Sequence, residues 1–397
     1  MDVWAMERGL LSYSDIPHRE VKMVRLEPES IELFLQAVRQ RGFKTIGPRV
    51  RENAIVYDEI QTVADLPVGW TDDQEKAHYR LKRRSDGAFF GYNVGPQSWK
   101  QFLFPHSLKL FGARRNNGSF EVVAGEGSDA LQKLAFVGVR PCELNAIAIQ
   151  DKVFLGGAYH DPDYKLRREN VLIVAVNCSQ VGKTCFCTSF GTGPTATSGF
   201  DIVLTEILAN GDHFFLADSA SAPGKEILAG LPSKPATEEE ILRSRNASDS
   251  AAHSSQRSME TKGLKDLLYA NSESPHWETI GHRCLSCANC TMVCPTCFCS
   301  SVEDVTDLAG TTAERRRTWD SCFTAGFSYI HGGSIRATTK SRYRQWLTHK
   351  LGSWVDQFGS SGCVGCGRCI TWCPVGIDLT EEVQAFREKQ THLHPSS

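Results

Sequence analysis

Hydrophobic positions recur along the first two thirds of the chain in two rhythms. In "ESIELFLQAVRQRG" the residues Ile31, Leu33, Phe34, Ala37 and Val38 fall on one helical stripe, with Gly42 following as a C-cap. Short apolar runs come next: "AIVYDEI", "AFFGYNVG", "EVVAGE", "LAFVGVR" and "VLIVAVNC". They are rich in β-branched residues and bounded by Gly, Pro or Asn, the pattern of buried strands. Between the last two, "CELNAIAIQDKVFL" has a helical period, which predicts a βαβ unit. Cys142 then lies just past its first strand and Cys178 at the end of its second. Residues 1–218 are expected to form a mixed α/β (α+β) domain.

From 219 to 262 the rhythm dissolves into Ser, Ala, Pro, Lys and Glu, as in "SRNASDSAAHSSQRS", which predicts a flexible linker. Residues 263–397 read as mainly helical in "VEDVTDLA", "AERRRTWDSCFTAGF" and "SRYRQWLTHKLGSWVDQF", stretches that separate two cysteine-rich runs.

Composition narrows the function classes. With 397 residues the chain has room for two or three domains, and a net charge of −2 gives no global pull toward nucleic acid or anionic membranes. The opening "MDVWAMERGLLSYSDIPHRE" lacks a basic stretch leading into an apolar core, and no window nears eighteen uninterrupted apolar residues. A cytoplasmic protein without a membrane span is expected. In that setting fifteen cysteines favour reduced thiols or metal ligands over disulfides. The sequon at Asn246 is then chance.

Cys284, Cys287, Cys290 and Cys294-Pro295 follow C-x2-C-x2-C-x3-C-P, and Cys363, Cys366, Cys369 and Cys373-Pro374 repeat it. Three thiolates at this spacing wrap one face of a cubane iron–sulfur cluster, and the fourth reaches the other cluster in two-cluster ferredoxins. Cys284, Cys287, Cys290 and Cys373 are therefore expected on one [4Fe-4S] cluster, with Cys363, Cys366, Cys369 and Cys294 on the other. Which fourth cysteine serves which cluster is open at this point. Structural zinc normally uses C-x2-C pairs separated by a longer loop, which this spacing does not supply. The predicted fold is an α/β domain followed by a mainly helical two-cluster ferredoxin-like domain.

A second constellation joins Cys142 in "GVRPCE", Cys178 in "AVNCS", and Cys185 and Cys187 in "TCFCTSFGTGP". Two cap neighbouring strands and two sit in the loop that follows, so all four can converge at one sheet edge and hold a third cluster. The competing reading makes them small buried hydrophobes. Cys297, Cys299 and Cys322 belong to a further site, replace one of the assigned ligands, or pack as apolar residues beside the clusters. The stretch from Arg315 to Lys350 carries "RRR", Arg336, Lys340, Arg342, Arg344 and Lys350 with few acids. It is either a solvated face or a cationic surface that raises a nearby cluster's potential and guides a partner. Interleaved Trp319, Tyr329, Tyr343 and Trp346 do not make a nucleic-acid platform when net charge is near zero.

No G-x-G-x-x-G after a strand, no phosphate-binding P-loop, no G-x-S-x-G and no H-E-x-x-H is present. No flavin or nicotinamide is expected on this chain. The chain resembles the iron–sulfur beta subunit of soluble sulfhydrogenases, the NAD(P)-linked nickel–iron hydrogenases, a family related to the electron-transfer subunit of anaerobic sulfite reductase. "GFKTIGPRV", "FGYNVGPQSWKQFLFP", "VGVRPCELNAIAIQDKVFL", "NCSQVGKTCFCTSFGTGP" and "RCLSCANCTMVCPTCFCSSVEDVTD" carry the resemblance, together with "SRYRQWLTHKL" and "CVGCGRCITWCPVGID". It covers nearly all of the chain after the first twenty or so residues. The resemblance implies a complex of hydrogenase small and large subunits, a flavin- and NAD(P)-binding subunit, and this electron-transfer subunit. The eight ferredoxin-type cysteines carry over, and Cys142, Cys178, Cys185 and Cys187 match family positions. Where some relatives have "AGGHNPR", this chain has "YIHGGSIRATTKSRYRQ", which leaves a sulfite reductase catalytic subunit open as the alternative partner. A colourless zinc interaction module and a self-sufficient flavin oxidoreductase are the readings from other classes.

Overall fold

The computed structural model describes residues 23–116, 118–125, 132–209 and 211–393. The N-terminal stretch read above for targeting lies outside the described residues.

An eight-stranded sheet organises the first part of the chain. Its order is Lys234–Pro235, Val24–Leu26, Asp212–Ser219, Ile202–Ala209, Val171–Val176, Leu134–Val139, Lys44–Arg51 and Ala54–Glu59. The four strands from Ile202–Ala209 to Lys44–Arg51 are parallel neighbours, and antiparallel pairings close both edges. Both faces of the parallel centre are covered, so "VLIVAV" and "LAFVGV" are buried almost throughout. Alternate residues serve opposite faces. Val137 and Val174 pack with Ile31, Phe34, Leu35 and Val38 of helix Ser30–Gln40. Phe136 and Ile173 pack with Leu144 and Ile147 of helix Pro141–Phe154, which completes the βαβ unit. On the first helix Leu33 is 43% exposed and Leu35 takes its place in the core.

Three readings change. "AFFGYNVG" is not a strand but a buried irregular segment. Its amides at Phe89 and Phe90 donate to the Glu206 carboxylate at 2.7 and 2.8 Å instead of to a ladder. The 219–262 segment is not a flexible linker, because it holds helices Ala222–Ala229 and Glu238–His253. The second starts at a Thr237/Glu240 capping box and turns small buried residues, Ser244, Ser248 and Ala251, inward. A stripe of such small residues lets a polar-looking helix lie close, and Ile241 and Ala247 reach Ile207, Phe214 and Leu216.

The third change lies between the cysteine runs. "VEDVTDLA" and "AERRRTW" form an antiparallel hairpin, Ser300–Thr306 and Thr312–Trp319, rather than helices. That hairpin extends the strands Ser107–Asn116 and Ser119–Ala124 into a four-stranded sheet, so the two expected domains share an element. The rest of the C-terminal region carries the helices Leu264–Ala270, His276–Arg283, Thr339–Thr348, Trp354–Phe358 and Leu379–Leu393, with a short hairpin of Tyr329–Ile330 and Gly333–Ser334 among them.

Candidate iron–sulfur sites

Both cysteine runs use the same backbone device. In the first, Ser286 (φ +51°) and Ala288 (φ +65°) take left-handed conformations between the cysteines; in the second, Gly365 (+63°) and Gly367 (+75°) occupy the equivalent positions. Each left-handed residue reverses the local course of the chain and lets three thiols spaced two residues apart face inward. The amides of Ser286 and Gly365 donate to Cys284 and Cys363 Sγ, both at 3.4 Å. The second run needs glycine because its loop is pressed against another. A Cβ at Gly367 would stand 2.3 Å from the Thr184 carbonyl oxygen, and one at Gly365 2.5 Å from that of Phe186.

The fourth cysteines cross over. Cys284, Cys287, Cys290 and Cys373 line one cavity, closed by Phe323, Tyr343, Trp346 and Ile377. Cys294, Cys363, Cys366 and Cys369 line a second, beside Phe186, Thr296 and Lys350. Cys369 borders both. Among the described residues, no three His, Cys, Asp or Glu side chains close on a point that could hold a single ion. A cubane instead spreads its thiolates, one to each iron.

Cys142, Cys178, Cys185 and Cys187 come together at the carboxyl edge of the parallel strands. Cys142 sits in the first turn of helix Pro141–Phe154, and the Cys178 amide donates to Pro194 O at 3.0 Å. Burial pushes all four thiols up, Cys187 to about 12. Neighbouring thiols push further: Cys187 acts on Cys142, and Cys178 acts on Cys185 and Cys187. Cys366 of the second set also acts on Cys142, Cys185 and Cys187, so the two sets adjoin. The loops are stitched by Phe186 N to Gly365 O at 2.8 Å and Thr192 Oγ1 to Val364 O at 2.6 Å. Thiols held protonated by burial release those protons when metal takes their place.

Buried donors and charges fit anionic cofactors at these places. Tyr343 and Trp346 line the first cavity, and the buried Tyr343 Oη and Trp346 Nε1 have no hydrogen-bond partner. Arg140 lies against Cys178, and Arg368 against Cys366 and Cys142; each keeps one unpartnered buried nitrogen. Between them Glu143 accepts from Tyr57 Oη at 2.8 Å, from Trp99 Nε1 at 3.0 Å and from Arg368. Two buried guanidiniums beside these thiols supply positive charge suited to a thiolate-bound cluster. Lys350 adds an ammonium that donates to Cys294 Sγ at 3.2 Å.

The remaining cysteines fall between these sets. Cys297 adjoins Cys294, and Cys322 adjoins Cys299, a neighbour that brings the Cys299 thiol down to about 7. Lys100 is buried with them, donating to Cys297 O at 3.1 Å and lying 3.9 Å above the Trp319 ring. "RRR" lies on the hairpin, where Arg315 pairs with Asp304, Arg316 with Glu314 and Arg317 with Asp161. Arg342 is the member of the basic stretch that acts on Cys284. Of the basic stretch, Lys350 is the member whose side chain bonds a cysteine sulfur; the sequence reading missed Arg140, Glu143 and Arg368, although each stands within two residues of a cysteine, and only "RPCE" carried a usable signal.

The repeated runs and crossed fourth cysteines define an iron–sulfur protein of the dicluster class, and the 4Fe-4S dicluster domain matches residues 283–377. The chain is 34% identical over 371 residues to sulfhydrogenase 2 subunit beta of Pyrococcus furiosus, covering 93% of this chain and 99% of that protein. It belongs to the sulfhydrogenase beta-subunit family. No solved structure matches the chain.

Proposed function

We propose that the chain is a non-catalytic electron-transfer subunit of a cytoplasmic hydrogenase complex. It relays electrons between a nickel–iron module of small and large subunits and a flavin subunit that handles NAD(P). The observation that carries this reading is the unbroken row of cysteine sets. The Cys142, Cys178, Cys185 and Cys187 set adjoins the second cavity, and Cys369 joins the second cavity to the first. Each set would hold one [4Fe-4S] cluster, and a bound cluster supplies a one-electron carrier. The chain's own residues aim the thiolates, exclude water with Phe186, Phe323, Tyr343 and Trp346, and offset negative charge with Arg140, Arg368 and Lys350.

The row reaches the surface at Cys287, which among the described cysteines is the exposed one. Leu285 (64% exposed) and Val375 (39%) flank it, an apolar collar for a redox partner. No described helix is long and apolar enough to cross a membrane. The test is Cys366→Ser in the assembled complex. Loss of one cluster's iron with loss of NAD(P)-linked turnover, while dye-linked hydrogenase activity survives, supports the relay. Unchanged NAD(P)-linked turnover sinks it. Purification with a sirohaem subunit instead of a nickel–iron one moves the same wiring to sulfite reduction.

A further inference from the structure

Lys350 is a buried lysine, 5% exposed, whose hydrogen bonds go to Cys294 Sγ at 3.2 Å, Thr296 Oγ1 at 3.0 Å and Gly362 O at 3.3 Å. None of these is a carboxylate. An ammonium taken out of water without an anionic partner is costly, so its counter-charge is the Cys294 thiolate. The backbone is shaped for this contact. Helix Thr339–Thr348 runs into a π-helical turn, His349–Ser353, before resuming as Trp354–Phe358. Such turns rotate side chains off the ordinary helical stripe and concentrate at functional positions. Thr296 braces the arrangement, its hydroxyl 3.1 Å from Cys294 Sγ and donating to Gly362 O at 2.7 Å.

The other sulfur contacts differ. Cys284, Cys363 and Cys373 receive neutral backbone amides from Ser286, Gly365 and Ile377 at 3.3–3.4 Å. Only the second set, among the described residues, has a side-chain ammonium bonded to a ligand sulfur. Lys100, 4% exposed, brings a second buried ammonium to the same region.

We propose that Lys350 is a positioning residue that sets the reduction potential of the site formed by Cys294, Cys363, Cys366 and Cys369, raising it above that of the Cys284, Cys287, Cys290 and Cys373 site. Reduction adds one electron to an already anionic cofactor, and a fixed cation bonded to one of its thiolates stabilises that added charge. Of these two sites, the middle one becomes the first to accept an electron. This rests on the reading that those four cysteines hold a cluster.

The experiment is an EPR-monitored reductive titration of the full anaerobic chain, with iron and sulfide counted on every sample. Cys363→Ser assigns the middle signal by removing it. That signal is expected to be reduced at higher potential than the Cys284-set signal; the opposite order overturns the inference without any change at Lys350. Lys350→Gln, neutral and still able to donate, and Lys350→Met, neutral and not, are expected to keep iron and lower the middle potential alone. Lys350→Arg is expected to restore most of it. Unchanged potentials with full iron overturn the inference. A Cys363→Ser chain that keeps every cluster overturns the underlying cluster reading instead.

Discussion

Gly367→Ala tests whether the second cysteine loop is held by the "TCFC" loop. Gly367 has φ +75° and ψ −9°, and an added Cβ would meet Thr184 O at 2.3 Å and Thr184 C at 2.5 Å. These are backbone atoms, so relief requires the two loops to part. The left-handed conformation alone costs alanine about 1–2 kcal/mol. Forcing an extra methyl into a packed junction adds about 1–3 kcal/mol. The sum is roughly 2–5 kcal/mol, a large share of the about 5–15 kcal/mol that holds a typical domain together. Gly359 supplies the control, with φ +68° and nothing within 4 Å of its Cβ position, so Gly359→Ala carries only the conformational cost. The assay is anaerobic urea unfolding of both variants, with iron retention as a second readout. Equal destabilisation by the two substitutions would refute the reasoning, because the loop junction would then contribute nothing.

Three further outcomes are expected. Glu143→Gln removes the carboxylate shared by Tyr57, Trp99 and Arg368, and should cost about 3–5 kcal/mol in thermal unfolding; a loss below about 1 kcal/mol would show that the buried network is not a unit. Leu285→Glu should leave iron content and potentials intact but weaken association with the redox partner by about tenfold or more, since one buried leucine is worth about 1.5–3 kcal/mol; an unchanged dissociation constant would remove Leu285 from the interface. Stripping the metal should lower the melting temperature and expose the 284–299 and 363–377 loops to protease, whereas identical digestion of both forms would show that the loops hold themselves.

The cysteine chemistry was legible because spacing along the chain is local information. C-x2-C-x2-C-x3-C-P determines which thiols share a loop, and the structure seats Cys373 with the first run and Cys294 with the second. The βαβ unit was legible for the same reason, since "LAFVGV" and "VLIVAV" are long apolar runs that only a doubly covered sheet buries. What failed to show depends on distant partners. Arg315, Arg316 and Arg317 look like a helical basic face until Ser107–Asn116 pairs alongside them. Phe89 and Phe90 look like strand residues because Glu206, more than a hundred positions away, is what receives their amides. Ser244 and Ser248 read as linker composition, and their burial follows only from how closely their helix approaches the sheet. Arg140 and Arg368 were overlooked for a related reason: charged residues are normally solvated, and nothing in composition marks the few that are buried beside thiols.

The relay requires three cysteine sets that form one conducting row. Iron and acid-labile sulfide per chain, counted on anaerobically purified protein with EPR after dithionite reduction, decide whether all three are loaded. About twelve irons, with magnetic coupling between neighbouring centres, are expected. About eight irons, unaffected by replacing Cys185 or Cys187, would contradict it and leave the "RPC" and "TCFC" cysteines as packing.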